Sequence, residues 1–482
     1  MRRWLWRWGR NLGLLALGAL AAIVIGRAAQ SLGGPDLAPW HTAVPDEPRA
    51  PALDATDWEG WLAAEARVFD QALREVAPHI PAASQLPGNR YWPGSPNHPA
   101  RFTRDWNRSY VLEPDGPARG AVVLLHGLTD APYSMRHIAE HYRGLGFIAL
   151  APRMPGHGTV PAGLTRAVWE DWAAATRLAM REARRRAGPE RPVHIVGYSN
   201  GGALALRHAL EAIENPALVR PARIVLLSPM IGVSAFARLA GLAAWPAVLP
   251  AFANAAWLSV LPEFNPFKYN SFPAQAALQT HRLTGVLQAQ IARLSADGRL
   301  AGLAPVLAFQ SVLDSTVLTQ ALIDRLFALL PANGSHLVLF DRNRATPLAA
   351  LMRPGLAMPA ETLLPAAPRR YRLSVIGNAE GSAAAQERRT EAGTAGQLLR
   401  PLGIDYPADL YSLSHVALPF AVDDPLYGVA GGPAEFGIRL GAVAAHGEMG
   451  ALVVGPETFQ RASWNPFLPW LLDRLTEGLG LP

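Results

Sequence analysis

The feature that most constrains the fold is a tight serine turn, Gly-Tyr-Ser-Asn-Gly at residues 197–201. It follows an apolar run at 193–196 that suits a buried strand, and it precedes small residues at 202–206 that suit a helix. A serine at the apex of such a turn has a strained backbone, and the flanking glycines leave room for it. The pattern predicts a strand–turn–helix unit that holds the Ser199 hydroxyl at a helix N-terminus, where amide dipoles favour negative charge.

Apolar runs and helical stretches alternate along most of the chain from about residue 105. This alternation predicts a mostly parallel sheet with helices on both faces, the α/β class. Half of the 482 residues are hydrophobic, which is enough for one large core. The predicted strands are 121–125, 147–151, 193–197, 223–227, 306–311 and 336–340, and the predicted helices are 132–143, 166–187, 200–213, 316–329 and 466–478.

Two segments interrupt the alternation. Residues 231–303 are rich in Ala, Leu, Trp and Pro and predict a helical cap insertion. Residues 342–408 have proline-rich flanks and one predicted strand at 371–376, and they predict a second, late insertion. Both are expected to be insertions into loops of a single catalytic domain, residues 105–482.

The chain before this domain divides into two predicted parts. Residues 30–104 are predicted to be a tether, irregular and rich in Pro, Ala, Gly and Asp at 30–56, followed by an amphipathic packing helix at 57–76. Residues 1–29 predict a signal anchor or transmembrane segment, because arginines and tryptophans precede an uncharged apolar stretch. Its length lies between that of a signal-peptide core and that of a spanning helix, so cleavage after Ala28 remains an alternative.

Composition excludes several classes of site. The chain has no cysteine, which rules out disulfides, thiolate metal sites and a cysteine nucleophile. The formal net charge is +6, but the basic residues are scattered, and Lys268 is the single lysine among the 44 lysines and arginines. This skew indicates genomic base composition rather than a phosphate-binding surface, so no nucleic-acid partner is predicted.

An activated serine needs a base to take its proton and a carboxylate to orient that base. In an open parallel sheet these groups lie in loops at the carboxyl ends of strands. Asp314 follows one predicted strand and is favoured over Asp341, which follows the next. His415 lies between the last strands and the final helix, and it is favoured over His446 in the same region.

The resulting chain order is Ser199, Asp314, His415, the order expected for a serine turn of this type. Stabilising the negative oxygen formed during acyl transfer needs two amide donors. The amide of Asn200, directly after the serine, is one candidate. The loop after the strand at 121–125 supplies the other, and Leu128 is the predicted donor.

Three motifs together resemble the α/β-hydrolase superfamily. They are the serine turn, the His-Gly-Leu-Thr-Asp sequence at 126–130, and Arg-Met-Pro-Gly-His-Gly-Thr at 153–159. The resemblance is to the branch that holds monoacylglycerol lipases, bacterial carboxylesterases and serine-aminopeptidase-like hydrolases, and it covers about 105–341 and 409–482. The chain departs from that branch in the long insertion that precedes the histidine.

The resemblance implies an α/β-hydrolase fold and a serine hydrolase that uses no metal and no organic cofactor. It assigns the role of nucleophile to Ser199, of acid to Asp314 and of base to His415. It assigns the two oxyanion donors to Leu128 and Asn200. His157 resembles a structural loop histidine of that branch.

The expected function is hydrolysis of carboxylic esters through an acyl-enzyme intermediate, with an acylglycerol-like or lysophospholipid-like substrate. With the predicted anchor, the expected location is a bacterial inner membrane, as a single-pass protein with the catalytic domain on the periplasmic side. The alternatives are a peptidase or thioesterase of the same fold, or a membrane-tethered binding protein without turnover.

Residues 263–273 of the predicted cap interleave aromatic side chains with Asn, Lys and Glu. They are expected either to line a substrate entrance or to form a loop ordered by aromatic packing. In the first case Lys268 would pair with Glu263 or meet an anionic substrate.

Overall fold

A computed structural model describes residues 2–232, 245–352, 360–430, 435–443, 461–477 and 479. Within them, ten strands form one sheet and two short strands form a separate hairpin. The strands are β1 Tyr110–Leu112, β2 Gly120–Leu125, β3 Phe147–Ala151, β4 Val193–Tyr198, β5 Arg223–Leu227, β6 Trp257–Ser259, β7 Phe272–Pro273, β8 Val306–Ser311, β9 His336–Phe340, β10 Arg372–Asn378, β11 Ala384–Thr390 and β12 Gln397–Asp405.

Helices separate most of these strands. They are α1 Arg2–Leu32, α2 Pro39–Thr42, α3 Ala50–Ala55, α4 Trp58–Val76, α5 Arg136–Gly144, α6 Trp169–Ala187, α7 Asn200–Glu214, α8 Ala274–Ala296, α9 Thr319–Arg325 and α10 Leu468–Thr476. The predicted strands and helices of the catalytic domain coincide with these elements to within a few residues at their ends.

The sheet order is β1-β3-β2-β4-β5-β8-β9-β10-β11-β12. The neighbours from β3 to β10 run parallel, whereas β1, β11 and β12 are antiparallel to their neighbours. The carboxyl ends of β2, β4, β8 and β9 therefore meet at one edge of the sheet, and the loops that follow them converge there.

In the parallel part of the sheet both faces are buried, and successive side chains of a strand pack into two different cores. In β2, Val123 and Leu125 pack with α6 and α7, whereas Val122 and Leu124 pack with α5 and α10 on the other face. Every residue of β2 and β4 is buried. This two-sided burial explains why these strands appear in the sequence as continuous apolar runs.

The segment that precedes the sheet is packed against it rather than free, which corrects the prediction of a tether at 30–56. Trp40 and Leu53 are buried. Glu47 forms a bidentate ion pair with the fully buried guanidinium of Arg153, at 2.6 and 3.0 Å. The composition of 30–56 resembles that of a linker, but these few long-range contacts fix it to the domain. The packing helix predicted at 57–76 is present as α4.

Helix α1 covers the predicted anchor. At its C-terminal end, the Arg27 guanidinium donates to Trp257 O at 2.8 Å, which joins the helix to the cap. Among the residues that the structure describes, no helix combines the length and the apolarity that crossing a membrane requires. The predicted anchor over 1–29 gains no support from this, and the anchor and the membrane location stay predictions.

The two predicted insertions differ in character. Within the cap, 233–244 lie outside the described residues, and the remainder contains α8 and the β6–β7 hairpin. The late segment 342–408 contains three strands where one was predicted. Because β10 runs parallel to β9, and β11 and β12 follow in antiparallel pairs, this segment extends the central sheet.

Candidate active site

Ser199 lies at the apex of the predicted turn, between β4 and α7. Its backbone has φ 55° and ψ −117°, a conformation that a non-glycine residue adopts only when its surroundings hold it there. The flanking residues must be glycines, because neighbouring backbone atoms lie too close to leave room for a side chain. A Cβ on Gly197 would lie 2.2 Å from Gly201 O, and a Cβ on Gly201 would lie 2.1 Å from Leu125 O.

A chain of hydrogen bonds joins the three side chains predicted to form the triad. Ser199 Oγ donates to His415 Nε2 at 2.9 Å, and His415 Nδ1 donates to Asp314 Oδ2 at 2.8 Å. Ser199 and His415 are each only 4% exposed. This arrangement can pass a proton from the hydroxyl to the imidazole while the carboxylate holds the ring in place.

The Asp314 carboxylate is held in its ionised form. Its burial opposes ionisation, but the His415 ring and the backbone amides of Val317 and Thr316 outweigh that cost, so the pKa of Asp314 lies below its usual range. Gln310 also donates to Asp314 Oδ2, at 3.1 Å. A persistent negative charge at this position stabilises the imidazolium that forms when His415 takes a proton.

Several side chains that the sequence did not single out hold the histidine loop. Ser311 Oγ donates to Leu413 O at 2.8 Å, and Tyr198 OH donates to His415 O at 3.3 Å. The Asn343 amide donates to Pro407 O and Leu410 O at 2.9 and 3.1 Å. A polar residue at or just beyond the end of a buried strand is the only sequence signal that marks Ser311 and Asn343.

Asp341, the alternative acid, lies outside this chain of hydrogen bonds. Asp341 is buried and paired with Arg344 at 2.9 Å and with Arg388 at 3.5 Å, and it makes no hydrogen bond to His415. Its neighbourhood is that of a structural ion pair. His446 lies outside the described residues.

The loop after β2, residues 126–130, is here named the oxyanion loop. It passes beside the serine, because a Cβ on Gly127 would lie 3.2 Å from Ser199 Cβ. His126 Nδ1 donates to Gly127 O at 2.9 Å, and His126 Nε2 accepts from Met154 N at 3.0 Å. Burial lowers the pKa of His126 to about 4, so the ring stays neutral and keeps both contacts.

The two predicted amide donors border the serine. Asn200 is the first residue of α7, where helix geometry leaves the N–H without an intrahelical acceptor. Leu128 follows Gly127 in the oxyanion loop, and its side chain is partly buried against the main core. Leu128 and Asn200 each directly follow one of two residues that lie side by side, Gly127 and Ser199, and their roles as oxyanion donors stay predictions.

A cavity of about 540 Å³ opens beside these groups. Tyr198 and Val416, the chain neighbours of the serine and the histidine, form part of its wall. The lining also includes the aromatic side chains of Phe420 and Tyr427 and the polar side chains of Asn265 and Lys268. It is a mixed pocket that suits a small molecule with apolar and polar parts.

Residues 263–271 are here named the cap strap, and four of them line the same cavity: Phe264, Asn265, Lys268 and Asn270. Glu263 is buried, which raises its pKa, and its carboxylate accepts from the amides of Asn270 and Ser271 at 3.0 and 2.8 Å. Lys268 therefore does not pair with Glu263, contrary to one expectation. Its ammonium lies 3.2 Å from Asp130 of the oxyanion loop instead.

The described residues contain no group of three or more His, Asp or Glu side chains arranged to hold a metal ion. His157, which the sequence indicated as structural, is fully buried, and its Nδ1 contacts Pro155 O at 3.2 Å.

Known proteins resemble a part of the chain that includes Ser199 and Asp314 but ends before His415. The family described as "Serine aminopeptidase, S33" matches residues 116–340, just under half of the chain. A thermostable monoacylglycerol lipase from Bacillus sp. (strain H-257) is 35% identical over 92 residues, which is 19% of this chain. The match spans only 35% of the length of that relative.

Solved structures also resemble part of the chain, with TM-scores below 0.5. A structure reported with the metagenome-derived lipolytic enzymes LipS and LipT is 24% identical, with a TM-score of 0.35, over 44% of this chain and 79% of its own. A monoacylglycerol lipase from Paleococcus ferrophilus is 19% identical, with a TM-score of 0.36, over 48% of this chain and 88% of its own. The family match and the observed sheet with its serine turn confirm the predicted α/β-hydrolase fold.

Proposed function

We propose that this protein is a serine hydrolase that cleaves carboxylic esters through an acyl-enzyme intermediate. The observation that carries the proposal is the unbroken chain of hydrogen bonds from Ser199 through His415 to Asp314, beside a cavity of about 540 Å³. The activity named for the Bacillus relative supports an ester as the substrate.

In the proposed reaction, His415 Nε2 takes the proton of Ser199, and Ser199 Oγ attacks the carbonyl carbon of the ester. The negative oxygen of the tetrahedral intermediate accepts from the N–H groups of Leu128 and Asn200. Each such donor is worth about 10²–10³ in rate where it has been removed from comparable sites. Ionised Asp314 stabilises the imidazolium throughout this step.

The same imidazolium then protonates the leaving alcohol, which departs and leaves the acyl group on Ser199. His415 next removes a proton from water, and the hydroxide attacks the acyl carbonyl carbon. Collapse of the second tetrahedral intermediate releases the carboxylic acid and returns the proton to Ser199. No metal or organic cofactor takes part in this proposal.

We propose a lipid-like small molecule, an acylglycerol or a lysophospholipid, as the substrate class. Val416 and Phe420 on the cavity wall suit an acyl chain, whereas Asn270 can hydrogen-bond a polar head group. A peptidase or thioesterase of the same fold would use the same three side chains. Comparing short acyl esters, thioesters and aminoacyl amides as substrates separates these activities.

The test of the nucleophile is labelling with a fluorophosphonate probe, which phosphonylates an activated serine. The wild-type protein should be labelled, and Ser199→Ala should lose both labelling and ester hydrolysis. Ser382→Ala, at an exposed turn between β10 and β11, is the matched control and should keep both. Labelling that persists in Ser199→Ala would overturn the proposal.

A further inference from the structure

The cap strap is joined to the oxyanion loop by a backbone β-bridge and by an ion pair. Tyr269 N donates to Thr129 O at 2.9 Å, and Lys268 and Asp130 form an isolated antiparallel β-bridge. The Lys268 ammonium lies 3.2 Å from Asp130 Oδ1. Backbone and side chain therefore connect the cap to the loop that carries Leu128.

The turn in this loop needs such support. Thr129 has φ +66°, and a β-branched residue in this region is strained, so the conformation persists only where neighbouring groups hold it. The bond that closes the turn within the loop, from Asp130 N to Gly127 O, is long at 3.3 Å. The contacts with the cap strap hold the other side of the same turn.

The cap strap is itself firmly held by the segment before the sheet. Four consecutive carbonyls of the strap, from Glu263 to Pro266, accept hydrogen bonds from that segment. The donors are Arg90 N to Glu263 at 2.9 Å, Asn97 Nδ2 to Phe264 at 2.9 Å, Arg90 Nη1 to Asn265 at 3.1 Å and Asn107 Nδ2 to Pro266 at 3.1 Å. Lys268 thus projects from a fixed support and not from a mobile lid.

Asp130 is the residue through which the Lys268 side chain can act on the turn. The Asp130 side chain is 7% exposed, whereas the lysine side chain is 29% exposed and borders the cavity. Asp130 Oδ2 also lies over Gly127, 2.6 Å from where a Cβ on that glycine would stand. Asp130 thus lies at the contact with the cap strap and also packs over Gly127, the residue before Leu128.

We propose that Lys268 is a positioning residue for the oxyanion loop. Through its ion pair with Asp130, it holds the strained turn in the shape that presents the Leu128 N–H to the negative oxygen of the intermediate. This inference rests on the proposed function, because it assigns Lys268 a part in the same reaction.

The test compares kcat and KM of ester hydrolysis in Lys268→Met, Lys268→Arg and the wild type. Lys268→Met keeps the length of the side chain but removes the charge, and kcat should fall roughly ten- to a hundredfold, a part of what loss of a whole donor costs. KM should change by less than about twofold, since stabilisation of the transition state alone is lost. Lys268→Arg should keep most of the activity.

Arg293→Met is the matched control. Arg293 joins cap helix α8 to Glu214 of α7 by an exposed ion pair at 3.0 Å and does not touch the oxyanion loop. Its kcat should stay within about twofold of the wild type. Amide hydrogen exchange at 127–130 gives a second readout, and it should quicken in Lys268→Met but not in Arg293→Met.

Lys268→Met leaves the buried carboxylate of Asp130 without its partner, and this unpaired charge is a second way in which kcat would fall. The double variant Lys268→Met/Asp130→Asn removes that charge as well, so it distinguishes the two effects. If Lys268 positions the loop, the double variant stays as slow as Lys268→Met. Recovery of the wild-type kcat in the double variant, an unchanged kcat in Lys268→Met, or a rise in KM alone would each overturn the inference. Absence of ester turnover in the wild type would instead refute the proposed function.

Discussion

The serine and the histidine of the candidate triad are held in place in different ways. Ser199 is fixed by residues next to it in the chain and by the neighbouring strand β2. His415 follows β10, β11 and β12 in the sequence, and its loop is held by side chains that are distant in sequence. One position is set by local stereochemistry, and the other by long-range packing.

This difference between the serine turn and the histidine loop determines how well each tolerates substitution. A tight turn with glycines in backbone contact has no room to relax, so its geometry is specified almost completely by sequence. A loop held by single hydrogen bonds can lose one of them and shift slightly. The nucleophile side should therefore respond abruptly to substitution, and the histidine side gradually.

The largest effect is expected at Asp314, which holds the His415 ring in place at the end of the chain of hydrogen bonds. In Asp314→Asn the amide cannot hold the same imidazole tautomer or stabilise the imidazolium, and kcat should fall about 10⁴-fold, as at a well-studied serine protease triad. Steady-state ester hydrolysis measures this loss, and circular dichroism should show an intact fold.

Asp341→Asn is the matched control for that variant, because it changes the carboxylate after the next strand. It removes the buried carboxylate that pairs with Arg344 and Arg388, whose side chains are 37% and 17% exposed, so it should cost about 1–3 kcal/mol of stability but leave kcat near the wild-type value. A reversed outcome, with activity lost at 341 and kept at 314, would exclude Asp314 as the acid.

The second prediction tests the rigidity of the nucleophile side. In Gly201→Ala the new methyl group would lie 2.1 Å from Leu125 O, a backbone atom that cannot rotate away. The expected loss is roughly 3 kcal/mol or more of unfolding free energy, at the upper end of overpacking effects, together with loss of fluorophosphonate labelling. Chemical denaturation measures the stability.

Gly285→Ala provides the control within a helix. Gly285 lies in α8, and a methyl group added there would meet nothing within 4 Å, so the substitution should raise stability by about 0.5–1 kcal/mol. If Gly201→Ala were tolerated as well as Gly285→Ala, the turn would not be as tightly constrained as its contacts indicate.

The same contrast explains what the sequence could predict. The strand–turn–helix around Ser199 and the alternation of strands and helices are local patterns, and they coincide with the observed elements. The hydrogen bonds that join Ser199, Asp314 and His415 agree with the predicted set, because the acid and the base follow from strand ends and chain order. The assigned chemical roles stay predictions until activity is measured.

Long-range contacts were not predictable in this way. Nothing local in 30–56 indicates that Glu47 pairs with Arg153, and the composition of that segment is that of a linker. Likewise β12 is almost entirely exposed at the sheet edge, so it lacks the apolar pattern from which a strand is predicted. Lys268 is unusual in the sequence as the single lysine, but its pairing with Asp130 depends on contact between the cap strap and the oxyanion loop. No local pattern in the sequence predicts that contact.

The smallest effect is expected on the histidine side, in Asn343→Ala. This removes the amide that donates to Pro407 O and Leu410 O, and the loss should cost about 1–3 kcal/mol of stability and lower kcat several-fold as His415 becomes less well placed.

Asn333→Ala is the matched control, because Asn333 also holds a loop, through Leu303 O and Ser335, but at the opposite end of β9. It should lose similar stability and keep its kcat. Equal kcat in the two variants would mean that the histidine loop is as rigidly fixed as the serine turn, and the contrast between the two sides would fail.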